Sequence, residues 1–104
     1  METLSPAMYA DRLSDKTILI DVRTPEEFAE EHLANAINID FFAASFDEEI
    51  ASFKNEGKVY IYCRSGKRSA KAASRMLEMG FSHIVNLEGG LLAWKEMNKP
   101  TVLN

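Results

Sequence analysis

Cysteine is almost missing from this chain: Cys63 is the one such residue among 104, so no internal disulfide can form and a fold stapled by cross-links is excluded. A reducing compartment fits, and the cytoplasm is the expected location. Missing too are the basic-then-apolar opening of a secretion signal at Met1-Glu2-Thr3-Leu4-Ser5-Pro6 and any apolar run near the roughly 20 residues that span a bilayer. No membrane partner is expected. Positive charge is in short supply as well: 12 Lys and Arg face 16 Asp and Glu, a formal net charge of −4, which argues against a nucleic-acid binder. One cysteine and two histidines, His32 and His83, offer no metal-ligand spacing, and nothing calls for a cofactor. There is no repeat, linker or low-complexity stretch, and 46% hydrophobic residues can fill one core, so residues 1–104 read as a single domain.

What is present alternates. Thr17-Ile18-Leu19-Ile20-Asp21-Val22 and Val59-Tyr60-Ile61-Tyr62 are short apolar runs suited to strands buried on both faces; Ala36-Ile37-Asn38-Ile39 and Ser82 to Leu87 are further strand candidates, and Leu4 belongs to a brief edge strand. Between them, Ser5-Pro6 and Thr24-Pro25-Glu26-Glu27 each place a cap before a proline at the first helical position, the second with a capping-box glutamate. The Thr24 helix is expected to run to about His32, anchored by Phe28. Ser45-Phe46-Asp47-Glu48 reads as another capping box opening a helix through Ile50 and Phe53, ended by Asn55-Glu56-Gly57. Ser69 reads as the N-cap of a helix with Ala70, Ala73, Met76 and Leu77 inward and Gly80 at its end. After Glu88-Gly89-Gly90 a last helix, Leu91 to Met97, would send Leu91, Leu92, Trp94 and Met97 to the core, with Pro100 beyond it. Trp94, the five methionines and the phenylalanines at 41, 42, 46 and 53 read as core, with Phe41-Phe42 also suited to a pocket wall or an exposed contact. Such alternation implies an α/β fold, a parallel sheet with helices on both faces and ligands at the carboxyl ends of the strands.

Cys63 falls at such an end. From Cys63 to Met76 there are five cations, Arg64, Lys67, Arg68, Lys71 and Arg75, and no acid; the remainder holds 7 cations against 16 acids. One basic spot on an acidic body suggests a small anionic ligand, although Lys71 and Arg75 fit a solvated helix face. Gly66 allows a loop whose amide N–H groups point at an anion ahead of a helix. Helix N-termini and nearby cations favour thiolate, the nucleophilic form of cysteine, whereas a hydrolase would need a histidine base that this reading does not bring near. Cysteine phosphatases use Cys-x5-Arg; here the residue six places after Cys63 is Ser69, and Arg68 comes one place early. The shorter loop suits an anion whose reactive atom is sulfur. Asp21, Arg23 and Glu88 lie at or beyond strand ends, with Asp21 and Arg23 most simply a hydrogen-bonded pair pinning a loop. His32 reads as structural.

Asp21-Val22-Arg23-Thr24-Pro25-Glu26-Glu27-Phe28 with His32-Leu33 and Ala36 to Ile39, then Cys63-Arg64-Ser65-Gly66-Lys67-Arg68, then Glu88-Gly89-Gly90-Leu91-Leu92-Ala93-Trp94 resemble, in order, the three signatures of the single-domain rhodaneses, or rhodanese-like sulfurtransferases. The resemblance covers nearly the whole chain. Glu31 departs from it where a small residue usually precedes the histidine, and Asn98 where glycine often precedes the closing proline segment; asparagine tolerates the left-handed conformation. It implies a three-layer fold with a central five-stranded parallel sheet, and a thiosulfate sulfurtransferase-type enzyme with Cys63 at the base of a pocket. By the same resemblance Cys63 takes the sulfane sulfur of thiosulfate or a related small anionic donor as a persulfide and passes it to cyanide or a thiol. Arg64, Ser65, Gly66, Lys67, Arg68 and Ser69 would surround the donor, with Arg64, Lys67 and Arg68 holding the leaving sulfite, and Asp21 and Arg23 would support the loop. A sulfur-accepting protein is a further implied partner. Two alternatives stay open: a relay or regulatory module active only with a partner protein, and a cysteine phosphatase or arsenate reductase.

Overall fold

The computed structural model describes residues 1–103. Strands β1 (Glu2–Leu4), β2 (Ile18–Asp21), β3 (Ile37–Asn38), β4 (Lys58–Tyr62) and β5 (His83–Leu87) alternate with helices α1 (Pro6–Arg12), α2 (Pro25–Glu30), α3 (Phe46–Ala51), α4 (Lys67–Glu78) and α5 (Gly90–Glu96). The strands form one sheet in the order β1-β5-β4-β2-β3, every pair parallel. This is the rhodanese-like α/β arrangement expected. The chain leaves β4 towards β5 and leaves β2 in the opposite direction towards β3. Adjacent strands whose connections diverge open a crevice at their carboxyl ends, and β4 delivers Cys63 there.

Period-two alternation along β4 explains which way that cysteine faces. Val59, Ile61 and Cys63 lie on one face with Ile20, Val22 and Ile84, under Phe46 and Ile50 of α3 and Ala72, Ala73 and Met76 of α4. Tyr60 and Tyr62 lie on the other with Leu19, Val85 and Leu87, against Tyr9 of α1 and Leu91 and Trp94 of α5. Fully burying a side chain of this size contributes ~1.5–3 kcal/mol, so both layers clamp the central strand. Tyr9 is wholly buried, and its hydroxyl donates to the Ile61 carbonyl at 2.9 Å.

Ser5 and Thr24 cap α1 and α2 as expected, Thr24 and Glu27 closing the full capping box. Other local expectations are corrected. Ser45 makes no cap, because its ψ of 4° turns the hydroxyl to the Glu49 carboxylate instead. The residue capping α4 is Gly66, at φ +100°, and Ser69 lies buried in the first turn, donating to the Gly66 carbonyl at 3.2 Å. Helix α2 stops at Glu30, since extended backbone at Glu31 lets His32 pair with Val102; Phe28 stays half-buried, stacked on the His32 ring at 3.7 Å. At the far end of α4, Gly80 N–H bonds Leu77 O and Phe81 N–H bonds Met76 O, a Schellman stop. Leu77, Leu92 and Met97 are exposed rather than inward, as are Met1 and Met8; Met76 is the fully buried methionine. Phe46 belongs to the core, Phe41 and Phe53 lie against it, and Phe42 is exposed. Asn98 does take the left-handed conformation, at φ +56°.

Candidate functional site

The site is built from the backbone behind it. The N–H groups of Leu91 and Leu92, in the first turn of α5, bond the carbonyls of Cys63 and Arg64 at 2.9 and 3.0 Å. That contact requires glycine: at Gly90, with φ +61°, a Cβ would fall 2.6 Å from the Arg64 carbonyl group and the Cys63 oxygen. The double glycine after β5 thus does more than turn the chain. It lets α5 seat itself against the back of the cysteine loop.

In front, Gly66 N–H donates to Cys63 Sγ at 3.0 Å. Gly66 reaches this position because its left-handed backbone folds the loop over the sulfur and starts α4 at the next residue. The amides of Lys67, Arg68 and Ser69 have no intrahelical acceptor by the geometry of any helix start, so the loop ends in a cluster of N–H groups at the positive end of a twelve-residue helix. Arg64, Ser65 and Lys67 are exposed, Arg68 half-buried, Ser69 buried. Cys63 itself is 1% exposed. The cavity beside the loop, about 360 Å³, is lined by Arg64 with Arg23, Glu27, Glu30, Leu91 and Leu92 among others.

Of the expected cations, Arg68 does not face free space. Its guanidinium is bidentate on Glu27, at 2.7 and 3.0 Å, and lies 5.6 Å from the Phe42 ring centroid. The Arg68 hydrogen bond, above all, draws the Glu27 carboxyl down to about 2. Sequence reasoning saw Glu27 as a capping residue alone. A partner 41 positions away leaves no local signal, and only the fold shows that α2 and the loop meet.

Asp21 and Arg23 form a second pair. Arg23 Nε and Nη2 donate to the Asp21 carboxylate at 2.7–3.1 Å, and Nη2 also reaches the Glu31 carbonyl at 2.7 Å. Burial opposes the Arg23 charge, but the Asp21 hydrogen bonds and charge outweigh it and raise its pKa. Tyr62, which sequence reasoning placed only in the core, donates its hydroxyl to Asp21 at 2.7 Å and accepts Leu33 N–H; burial first, then the Asp21 charge, keeps that phenol protonated. Asn38 bonds the Asp21 and Arg23 carbonyls. His32 is buried, with Nδ1 2.9 Å from the Phe28 carbonyl oxygen, and takes no part in the loop. Glu88 is exposed; its N–H bonds the Leu4 carbonyl. The Glu31 side chain ties to Lys95 and Thr101, and its φ of −171° needs no small residue.

A cysteine at the end of the central strand of a parallel α/β sheet, folded under a glycine that opens a helix, defines an α/β protein of the cysteine-loop kind. Comparison with known proteins then places it: the chain belongs to the rhodanese-like domain family, whose model matches residues 5–97. It is 32% identical over 95 residues to a protein named sulfurtransferase from Allochromatium vinosum, covering 89% of this chain and 87% of the relative. It is 39% identical over 92 residues to a Synechocystis protein of undescribed function, covering 88% of this chain but 50% of that one, so the chain spans half the length of that relative. The crystal structure of a rhodanese-related protein from Thermoplasma volcanium superposes with a TM-score of 0.84 at 30% identity over the whole of both chains. Relatives named sulfurtransferases support sulfur transfer at the level of the family, which implies a sulfur donor and an acceptor in general terms.

Proposed function

We propose that residues 1–104 work as one rhodanese-like unit, a sulfurtransferase that moves a sulfane sulfur from thiosulfate or a related anionic donor through a Cys63 persulfide to cyanide or a thiol. The observation that carries this reading is the Gly66 N–H 3.0 Å from Cys63 Sγ, at the start of α4. That donor and the helix-start amides beside it point where negative charge gathers as the sulfur reacts. The Cys63 thiolate bonds to the outer sulfur of thiosulfate, the S–S bond breaks, and its electron pair leaves with sulfite. Attack of cyanide on the outer persulfide sulfur releases thiocyanate and restores the thiolate. Arg64 and Lys67, exposed on the loop, attract the donor and the departing sulfite. Asp21 and Arg23 hold the end of β2 and thereby support the loop. A cytoplasmic setting fits the lone cysteine, and no helix among the described residues is long and apolar enough to cross a membrane.

Thiocyanate release from thiosulfate and cyanide tests the reading. Wild type should turn over and Cys63→Ala should not; equal yields from the two would overturn it. The burial of Cys63 favours a second reading, in which a partner protein must open the loop before sulfur leaves. A loaded protein that discharges to a protein thiol but to no small thiol would select it. The phosphatase alternative fares worse, since the arginine nearest the required spacing is engaged by Glu27.

A further inference from the structure

We infer that Glu27 tunes which sulfur donors the loop accepts: by neutralising Arg68 it weakens the loop's preference for dianions such as thiosulfate relative to singly charged, thiosulfonate-like sulfane donors. The inference rests on the sulfurtransferase reading above. Glu27 is a built partner and not a passing surface contact, because its Oε1 also accepts the Thr24 N–H and hydroxyl, each at 3.1 Å. The Arg68 guanidinium also lies over the exposed Phe42 ring, 5.6 Å from its centroid. Both members of the pair are about three-quarters buried, the side chains 21% and 25% exposed, where a carboxylate is screened less than on open surface. The Glu27 hydrogen bond, above all, and then the Glu27 charge raise the Arg68 pKa against the opposing effect of burial. Arg68 lies two residues beyond Gly66, whose N–H touches Cys63 Sγ at 3.0 Å, and Glu27 lines the cavity beside the loop together with Arg64, so the pair borders the site of reaction.

Among the described residues Arg64 and Lys67 make no salt bridge. The loop's three cations thus act against the donor with the charge of two. Removing Glu27 would restore the third; removing Arg68 would leave one. A doubly charged donor feels each change about twice as strongly as a singly charged one. With either donor the chemistry balances, since the Cys63 thiolate bonds to the outer sulfur and the broken S–S bond leaves its electron pair on sulfite or on a sulfinate, with no oxidant.

The test compares kcat/KM for thiosulfate with kcat/KM for methanethiosulfonate in wild type, Glu27→Gln, Arg68→Gln, the double variant and Glu27→Asp, at low and high salt. The thiosulfate-to-thiosulfonate ratio should rise on the order of five-fold in Glu27→Gln, fall by a similar factor in Arg68→Gln and return to the wild-type value in the double variant. Glu27→Asp should stay near wild type, and high salt should shrink every shift. A clamp that merely held the loop closed would move both single variants in the same direction, which would overturn the inference, as would an unchanged ratio. If Glu27→Gln fails to fold, the direction of Arg68→Gln and its salt dependence decide the matter. Wild type that takes sulfur onto Cys63 from neither donor would overturn the sulfurtransferase reading itself; wild type that takes it from both, with a ratio blind to the variants, would sink this inference alone.

Discussion

Asp21–Arg23 and Glu27–Arg68 are the same chemical object, a carboxylate gripped by a guanidinium fork, placed in two environments. The first joins residues two apart, with side chains 0% and 4% exposed, and the Tyr62 hydroxyl, the Arg23 N–H and the Glu31 carbonyl complete its hydrogen bonding. The second joins α2 to the cysteine loop across 41 positions and is about a quarter open to water. A buried ion pair costs several kcal/mol in lost hydration per ion, and persists only when every lone pair and proton is met. Among the described residues no buried side-chain N or O atom of the inner pair lacks a hydrogen-bond partner, and the pair fixes where β2, β3 and β4 end. The outer pair is weaker in stability terms but stands where charge affects the bound anion. Burial separates a pair that sets the frame from one that adjusts the site.

The sharpest way to break this comparison is Asp21→Ala, which strands the Arg23 charge and the Tyr62 hydroxyl in the interior. It should cost about 3–5 kcal/mol in denaturant titration; a loss below ~1 kcal/mol would put the two pairs in one class. Gly90→Ala touches neither pair, yet its Cβ would meet Arg64 and Cys63 backbone atoms at 2.6 Å and its φ is positive. It should cost ~1–3 kcal/mol and lower sulfur loading of Cys63 more steeply than Asp21→Asn at matched stability. If loading is spared, the α5 seat does not shape the loop. Arg68→Gln should cost about 1 kcal/mol or less, less still in high salt, by the same titration. The smallest effect is in acid. Because Arg68, above all, draws the Glu27 carboxyl down to about 2, the pair's contribution is whole above roughly pH 4.5 and fades as pH falls towards 2. Stability measured across that window should fall less steeply in Glu27→Gln than in wild type; parallel curves would show that the pair carries no such linkage.

Much of this could be read from residues because the signals are local. The caps at Ser5 and Thr24, the apolar run of β4 and the glycine after α4 each act over a few positions, and all appear where expected. Boundaries failed where a glycine took a role assigned to a side chain: Gly66, not Ser69, opens α4, because positive φ was needed to bring an amide over Cys63. Leu92 and Met97 failed because so short a helix buries one narrow stripe, here Gly90, Leu91 and Trp94. The loop around Cys63 was legible as a motif. Its electrostatics were not, since Glu27 and Phe42 come to the site from elements distant in the chain, and Tyr62, next to Cys63, turns to Asp21, 41 positions away, and nothing near each residue in sequence announces the meeting.

The central claim is that Cys63 carries the transferred sulfur, and intact mass measurement tests it most directly. After brief exposure to thiosulfate and removal of excess reagent, wild type should gain the mass of one sulfur atom, the gain should map to the peptide containing Cys63, and cyanide should remove it, while Cys63→Ser gains nothing. A wild-type mass that never changes, or an equal gain in Cys63→Ser, would contradict the account.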